Sequence, residues 1–309
     1  MNHSHCCYHG NMRTIPKSSF RKIAIYAAAL GLITSVAGCT STPEAQRPTV
    51  VVTYSVLADI VTDLVGDLAT VEVIIPNGQD PHDFEPSAKD VETMNNAALI
   101  VANGLGLEDN LQQSLDAAEQ VGVAVFKISD HVKTQTLLED GATVTDPHLW
   151  LDPLTLSAAI PALAQKLNEV LDTDLTERSA KLQQHLEDIS ARAATIMTEV
   201  SNCTLVTGHE ELGYFATRYG CKVIGAIIPS MSTSAEATAG QISDLKTLAA
   251  AANVQAIFAS VGTPSNVAEQ LAQELDIKLV ELSTHMLLDG DQYEQFIVRI
   301  AQQISDALK

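Results

Sequence analysis

Four of the nine histidines in this 309-residue chain stand where chemistry is expected. His82, His209 and His285 each follow an apolar, strand-like run within a few residues, and His148 lies in the loop Asp146-Pro147-His148. Imidazole nitrogen is the commonest protein ligand for zinc and its neighbours, so four such side chains meeting at one cleft would hold a transition metal. A lone histidine is more often a surface residue or a hydrogen-bonded core residue, and only convergence gives the four a common role. His131 and His185 lack such contexts. His185 falls on an apolar helical stripe, which predicts a packed, hydrogen-bonded ring.

The elements that must bring the four together alternate along the chain. Thr49 to Thr53, Val71 to Ile75, Leu99 to Ala102 and Val123 to Ile128 read as strands, with helices over Val56 to Val65, Ser87 to Asn95 and Leu107 to Gln120 between them. The strands are short, nearly unbroken apolar runs, the pattern of a parallel α/β sheet buried on both faces. From Leu154 to Val200 two helical stretches follow each other, broken at Val170 to Asp174. The second carries Leu182, His185, Leu186, Ile189, Ala193 and Ile196 at three- and four-residue spacing, an amphipathic stripe on a helix of about 24 residues and roughly 36 Å. The alternation then returns, with strands at Thr204 to Val206, Lys222 to Ile227, Ala256 to Ala259 and Lys278 to Leu282. Helices fall between them, one over Ala235 to Ala252, and a last helix covers Gln292 to Leu308. The expected fold is α/β: two parallel-sheet lobes joined by a long rigid helix. In such sheets ligands bind beyond the carboxyl ends of the strands, and the histidines fall there, two from each lobe.

Arg13, Lys17, Arg21 and Lys22 precede the uncharged apolar run Ile23 to Gly38, the form of a secretory signal. The run is short for a membrane span, for which about 20 apolar residues are wanted, and Val36-Ala37-Gly38-Cys39 resembles the lipobox of bacterial lipoproteins. That resemblance implies a lipidated Cys39 as the first residue of the exported chain and a globular part outside the cytoplasm, anchored to the cell membrane. Removing residues 1–38 takes away four of the 18 Lys+Arg and none of the 38 Asp+Glu, which leaves a formal charge of −24. So acidic a surface repels phosphate backbones and makes nucleic acid an improbable partner. Of the five cysteines, only Cys203 and Cys221 then remain besides the anchor. In an oxidising compartment that pair suggests one disulfide, the alternative being two buried thiols. The expected divisions are a signal segment 1–38, a lipid-anchored linker 39–48, a first lobe 49–170, a linking helix 171–200 and a second lobe 201–309.

Asp80-Pro81-His82-Asp83-Phe84-Glu85-Pro86-Ser87, Asp146-Pro147-His148-Leu149-Trp150-Leu151-Asp152-Pro153 and Gly208-His209-Glu210-Glu211-Leu212-Gly213-Tyr214-Phe215 resemble three signature segments of one family. These are the metal-binding lipoproteins of zinc and manganese ABC importers, the cluster A-I solute-binding proteins. The resemblance runs from about Val50 to Leu308 with segment order intact. It implies that His82 and His148 are ligands from the first lobe and that His209 takes a third position, where zinc members tend to carry His and many manganese members Glu. The fourth position is commonly a carboxylate in the family, whereas Ser283-Thr284-His285 places a histidine there. It further implies a monomeric receptor that delivers its metal to an ABC permease served by a separate ATPase subunit.

Four neutral imidazoles suit tetrahedral Zn²⁺ as cargo, while Mn²⁺, the alternative, usually takes more oxygen ligands. Some zinc members carry a long His- and acid-rich loop ahead of the second segment; here Asp130 to Thr145 contains only His131. Metal affinity is expected to fall as pH drops through the imidazole range, because ligation requires neutral histidine. Asp80, Asp83, Glu85, Asp146, Asp152, Glu210 and Glu211 are the carboxylates near enough in sequence to accept the second ring N–H of a ligand. Glu85 and Pro86 could instead open the following helix. Trp150, the single tryptophan, is expected either beside the site or in ordinary interlobe core.

An enzyme is not expected. His209-Glu210 begins like HExxH, but the residue four after His209 is Gly213, so that helix presents no second imidazole. A filled tetrahedral site also leaves no place for activated water. An adhesion or structural lipoprotein would show a large exposed apolar patch, and an organic-solute receptor would line its cleft with aromatic residues, which make up only 4% of the chain.

Overall fold

The structure is a computed structural model that describes residues 47–139 and 141–309. The expected signal segment 1–38 and Cys39, the expected point of lipid attachment, lie outside the described residues, as does most of the expected linker 39–48. Among the described residues no helix is long and apolar enough to cross a membrane.

The first half runs β1 (Thr49–Tyr54), α1 (Ser55–Val65), β2 (Thr70–Ile75), α2 (Ala88–Asn95), β3 (Leu99–Ala102), α3 (Gln112–Gln120) and β4 (Ala124–Lys127). Its four strands form a parallel sheet in the order β2-β1-β3-β4. The inner strand β3 is buried at every residue, and β1 at every residue but its first. The edge strand β2 is buried only at Ile74 and Ile75, because one side of an edge lacks a covering neighbour. Glu85 is exposed and does not open α2; Ser87 caps that helix in a capping box with Asp90.

An antiparallel hairpin, β5 (Thr136–Glu139) with β6 (Ala142–Thr145), occupies the stretch read from sequence as loop. Then come α4 (Pro153–Leu171), with Asp152 as its N-cap and proline in its first turn, and α5 (Thr176–Met197). The buried stripe of α5 is Ser179, Leu182, Leu186, Ile189, Ser190, Ala193 and Met197. His185 is not on it. Its side chain is 45% exposed, 4.0 Å from Glu294, so the expected packed ring is corrected to a surface one: the helix turns about 100° per residue, and the stripe drifts past position 185.

The second half runs β7 (Thr204–His209), α6 (Gly213–Tyr219), β8 (Lys222–Ile228), α7 (Ala239–Ala251), β9 (Ala256–Ala259), α8 (Ser265–Leu275), β10 (Lys278–Glu281) and α9 (Tyr293–Leu308). Its parallel sheet has the order β10-β9-β7-β8. α7 starts four residues later than its apolar pattern indicated, because Thr238 and Gln241 form a capping box that fixes the first turn. Cys203 and Cys221, immediately before β7 and β8, are joined in a disulfide.

A continuous apolar core passes from both faces of the first sheet through α4 and α5 to one face of the second sheet and α9. A smaller core, with Val206, Ile227, Leu245, Ile257 and Leu271, fills the other face of the second sheet. The last helix also returns to the first lobe: Tyr293 N–H donates to Asp59 at 2.7 Å, and Tyr293 Oη donates to the Trp150 carbonyl at 2.7 Å.

Candidate metal centre

Each of the four histidines is held at the carboxyl end of a sheet. His82 lies in the turn after β2, and its backbone N–H donates to Asp80 Oδ1 at 3.0 Å. His148 precedes a single turn of 3₁₀ helix, Leu149–Leu151, that leads into α4. His209 is the last residue of β7, three beyond the end of the apolar run Thr204 to Val206. His285 lies in the loop after β10. All four are buried, and one ligand atom from each lies within 4.8 Å of all the others.

The geometry is that of imidazoles facing a common point. His148 Nε2 lies 3.2 Å from His82 Nε2 and 3.1 Å from His209 Nε2, and all six ring pairs have centroids 5.0 to 5.8 Å apart. A tetrahedral ion bound to nitrogen at about 2.0–2.1 Å requires ligand atoms roughly 3.3–3.4 Å apart, close to the two measured edges. His285 Nε2 is buried with no hydrogen-bond partner among the described residues. A buried imidazole nitrogen left without a partner is costly, and a cation at the shared point would satisfy it.

The ring orientations have physical causes. Asp146 Oδ1 accepts both the backbone N–H of His148, at 2.9 Å, and its Nδ1–H, at 2.8 Å. That carboxylate puts the proton on Nδ1 and leaves the Nε2 lone pair facing the centre. The Asp146 side chain fits because residue 213, at the start of α6, is glycine: a Cβ there would stand 2.5 Å from Asp146 Oδ2. Asn103 Nδ2 donates to the Pro147 carbonyl at 2.8 Å and so fixes the loop. Behind the second-lobe rings, Glu211 is buried 3.7 Å from His209 Nδ1 and 3.8 Å from His285 Nδ1.

Burial keeps His82, His209 and His285 neutral. Burial, with the neighbouring His148, pushes the His82 imidazole down to about 3. Burial and the surrounding imidazoles hold His209 and His285 well below the ordinary histidine range. Burial raises the Glu211 carboxyl to about 7, against the hydroxyls of Thr284 and Ser260 that stabilise its charged form.

The seven nearby carboxylates separate into distinct roles. Asp146 serves His148 directly. Asp80 braces the His82 turn and accepts Thr233 Oγ1 across the cleft at 2.7 Å. Asp152 caps α4 and pairs with Arg218 of α6, at 2.7 Å and 2.8 Å, so it joins elements and leaves the rings alone. Asp83 lines a cavity of about 570 Å³ beside Asp80, Thr233 and Glu236. Glu210 is half-buried, its carboxyl raised by burial and by Asp146 and Glu139. Trp150 meets both expectations: it is fully buried, and its ring lies 5.4 Å from His148 and 5.7 Å from His285. Its Nε1–H donates to the Thr284 carbonyl at 2.7 Å. Thr284, Ser260 and Asn103 escaped sequence reading. The signal that could have found all three is their position just past the ends of β10, β9 and β3, where ligands of α/β sheets gather.

Two parallel α/β lobes with buried imidazoles between the carboxyl ends of their strands define a two-lobed binding protein, and the chain belongs to the ZnuA family, zinc-uptake complex component A, periplasmic, which it matches over residues 50–307. It is 28% identical over 279 residues to the zinc-binding protein TroA of Treponema pallidum, covering 87% of this chain and 90% of TroA. It is 25% identical over 304 residues, 93% of this chain and 97% of the relative, to the manganese ABC transporter substrate-binding lipoprotein PsaA of Streptococcus pneumoniae. The solved structure of the periplasmic zinc-binding protein TroA superposes with a TM-score of 0.77 at 27% identity, over 85% of this chain and 99% of that one. Zinc and manganese binders therefore both stand among the relatives.

Proposed function

We propose that this chain is the lipid-anchored receptor of an ABC importer, that its cargo is Zn²⁺ held between the lobes by His82, His148, His209 and His285, and that it hands the ion to a permease whose ATPase is a separate subunit. The observation that carries the reading is the set of four buried imidazoles whose ligand atoms all lie within 4.8 Å of one another, with His148 Nε2 at tetrahedral-edge distance from the Nε2 atoms of His82 and His209. Manganese is the weaker choice of cargo because the clustered ligand atoms are all nitrogen, whereas Mn²⁺ favours oxygen donors. The relatives' names support capture for transport, and the signal-like segment ahead of Cys39 supports export and anchoring on the outer face of the cell membrane.

The test is competitive Zn²⁺/Mn²⁺ titration of the chain from Thr40 onward, beside His285→Ala. The reading expects one Zn²⁺ per chain, bound in preference to Mn²⁺, and at least tenfold weaker binding in the variant. Retention of manganese in preference to zinc would overturn the zinc assignment, and indifference to His285→Ala would mean that an oxygen ligand or water, rather than His285, completes the site.

A further inference from the structure

Glu211 is a buried carboxylate with no arginine or lysine beside it among the described residues. Its only ion-pair contacts among the described residues are two imidazoles, His209 Nδ1 at 3.7 Å and His285 Nδ1 at 3.8 Å. Its two oxygens face these rings separately: Oε1 lies nearest His209 and accepts Ser260 Oγ at 2.7 Å, and Oε2 lies nearest His285 and accepts Thr284 Oγ1 at 2.5 Å. Thr284 Oγ1 is also 3.1 Å from His285 Nδ1, so one hydroxyl links carboxylate to ring. The carboxylate contributes no atom to the close group of ligand nitrogens, and it faces the Nδ1 edges while the Nε2 of His209 points at the other imidazoles. It therefore stands behind the rings.

A buried carboxylate is expensive unless something compensates it. Asp146 already serves His148 and Asp80 the backbone of His82, whereas His209 Nδ1 has no hydrogen-bond partner among the described residues. A divalent cation on Nε2 polarises the imidazole and strengthens donation from its other nitrogen. A closing movement of less than about 1 Å would bring the His209 Nδ1–H into a charge-assisted hydrogen bond with Oε1, while the His285 Nδ1–H reaches Oε2 through the Thr284 hydroxyl.

We infer that Glu211 is the positioning residue for the second-lobe imidazoles: with Ser260 and Thr284 fixing its two oxygens, it aligns His209 and His285 together and sets the preference for a nitrogen-seeking cation. This rests on the metal-capture reading above and assigns the residue that makes two of its four ligands act as a pair. Asp146 has the same part behind a first-lobe ring, so each lobe supplies one carboxylate to oppose the charge of a divalent ion.

The experiment compares wild type, Glu211→Gln and Thr284→Val, each metal-free and loaded with Co²⁺ or Zn²⁺, by thermal unfolding, the Co²⁺ ligand-field spectrum and competitive Zn²⁺ titration. Glu211→Gln should keep the metal-free Tm within a few degrees, weaken Zn²⁺ binding by about 10- to 100-fold, narrow the preference for Zn²⁺ over Mn²⁺ and shift the Co²⁺ bands. Thr284→Val should move the same readouts in the same direction by less, and it carries the test alone should Glu211→Gln fail to fold. Unchanged Zn²⁺ affinity and Co²⁺ spectrum in both variants, with only the Tm altered, would mean that Glu211 is merely structural. A wild type that binds no Zn²⁺ and gives no tetrahedral Co²⁺ spectrum would instead overturn the metal-capture reading, and this inference with it.

Discussion

An imidazole becomes a directed ligand only when something behind it chooses its tautomer, and for His148 that group is Asp146, at 2.8 Å from Nδ1. Asp146→Asn keeps the volume and removes the charge, so Zn²⁺ affinity is expected to fall about 10- to 100-fold while the fold survives; competition against a chromophoric chelator measures it, and a change below threefold would deny Asp146 this role. The neutral state of the rings has a cost visible in stability. His82 is held at about 3 in the folded chain, against roughly 6.5 when unfolded. Its folded-state value is depressed, so as pH falls below the unfolded value the unfolded state takes up the proton first and stability is lost. Metal-free wild type should therefore lose its advantage over His82→Gln progressively from about pH 6.5 towards pH 4, and parallel melting curves for the two across that range would refute the linkage. The four histidines were legible in the sequence because each sits in a recognisable segment or directly past a strand. Their partners were not: seven carboxylates lie within a few residues of these histidines, and Asp146 and Asp152 occupy the same motif, yet one orients a ring and the other caps α4 and pairs with Arg218. Only the third dimension separates them.

The elements were legible wherever hydrophobic periodicity decides them. Buried strands such as β3 and β9 are unbroken apolar runs, and α5 shows its stripe at helical spacing. The hairpin β5-β6 was missed because one face carries the exposed Thr136, Leu138 and Thr143, an apolar residue among polar ones, which blurs the alternation. Its cue was the Asp140-Gly141 pair between the two strands, a strong hairpin-turn signal. His209 shows the opposite failure, since a polar residue ends β7 inside the sheet for functional reasons that no propensity anticipates. The disulfide acts at this scale as well. It ties residues 18 apart at the starts of β7 and β8, the ends remote from His209. Replacing Cys203 and Cys221 together by serine should lower the unfolding free energy by about 3 kcal/mol through loop-closure entropy and leave Zn²⁺ affinity within twofold. Urea denaturation of the chelated proteins measures the first quantity, and a tenfold loss of affinity would show that the bridge reaches the site.

At the scale of the whole molecule, the two lobes share more than a linking helix. Apolar core is continuous from the first sheet to one face of the second, α9 bonds back to Asp59 and Trp150, and Asp80 with Thr233 and Asp152 with Arg218 span the cleft. Sequence reading anticipated two lobes meeting at a metal and left this cross-bracing unseen, because contacts between residues some 60 to 230 positions apart leave no periodic trace. The bracing bears on how the cargo moves. All four imidazoles are nearly or wholly shut off from solvent, His82 at 6% being the most open. With an ion held as proposed, a competing chelator would reach it only once the imidazoles are uncovered, so discharge would be timed by the protein's own opening. Stopped-flow transfer of Zn²⁺ to a chelator should accordingly reach a ceiling rate as chelator concentration rises, and Asp80→Asn, by loosening the clasp at the mouth, should lift that ceiling. A transporter able to pry the clasp apart would then be the one acceptor for which the ion is quickly available, which makes enclosure a form of addressed delivery: the parcel stays sealed in transit and is opened at the door.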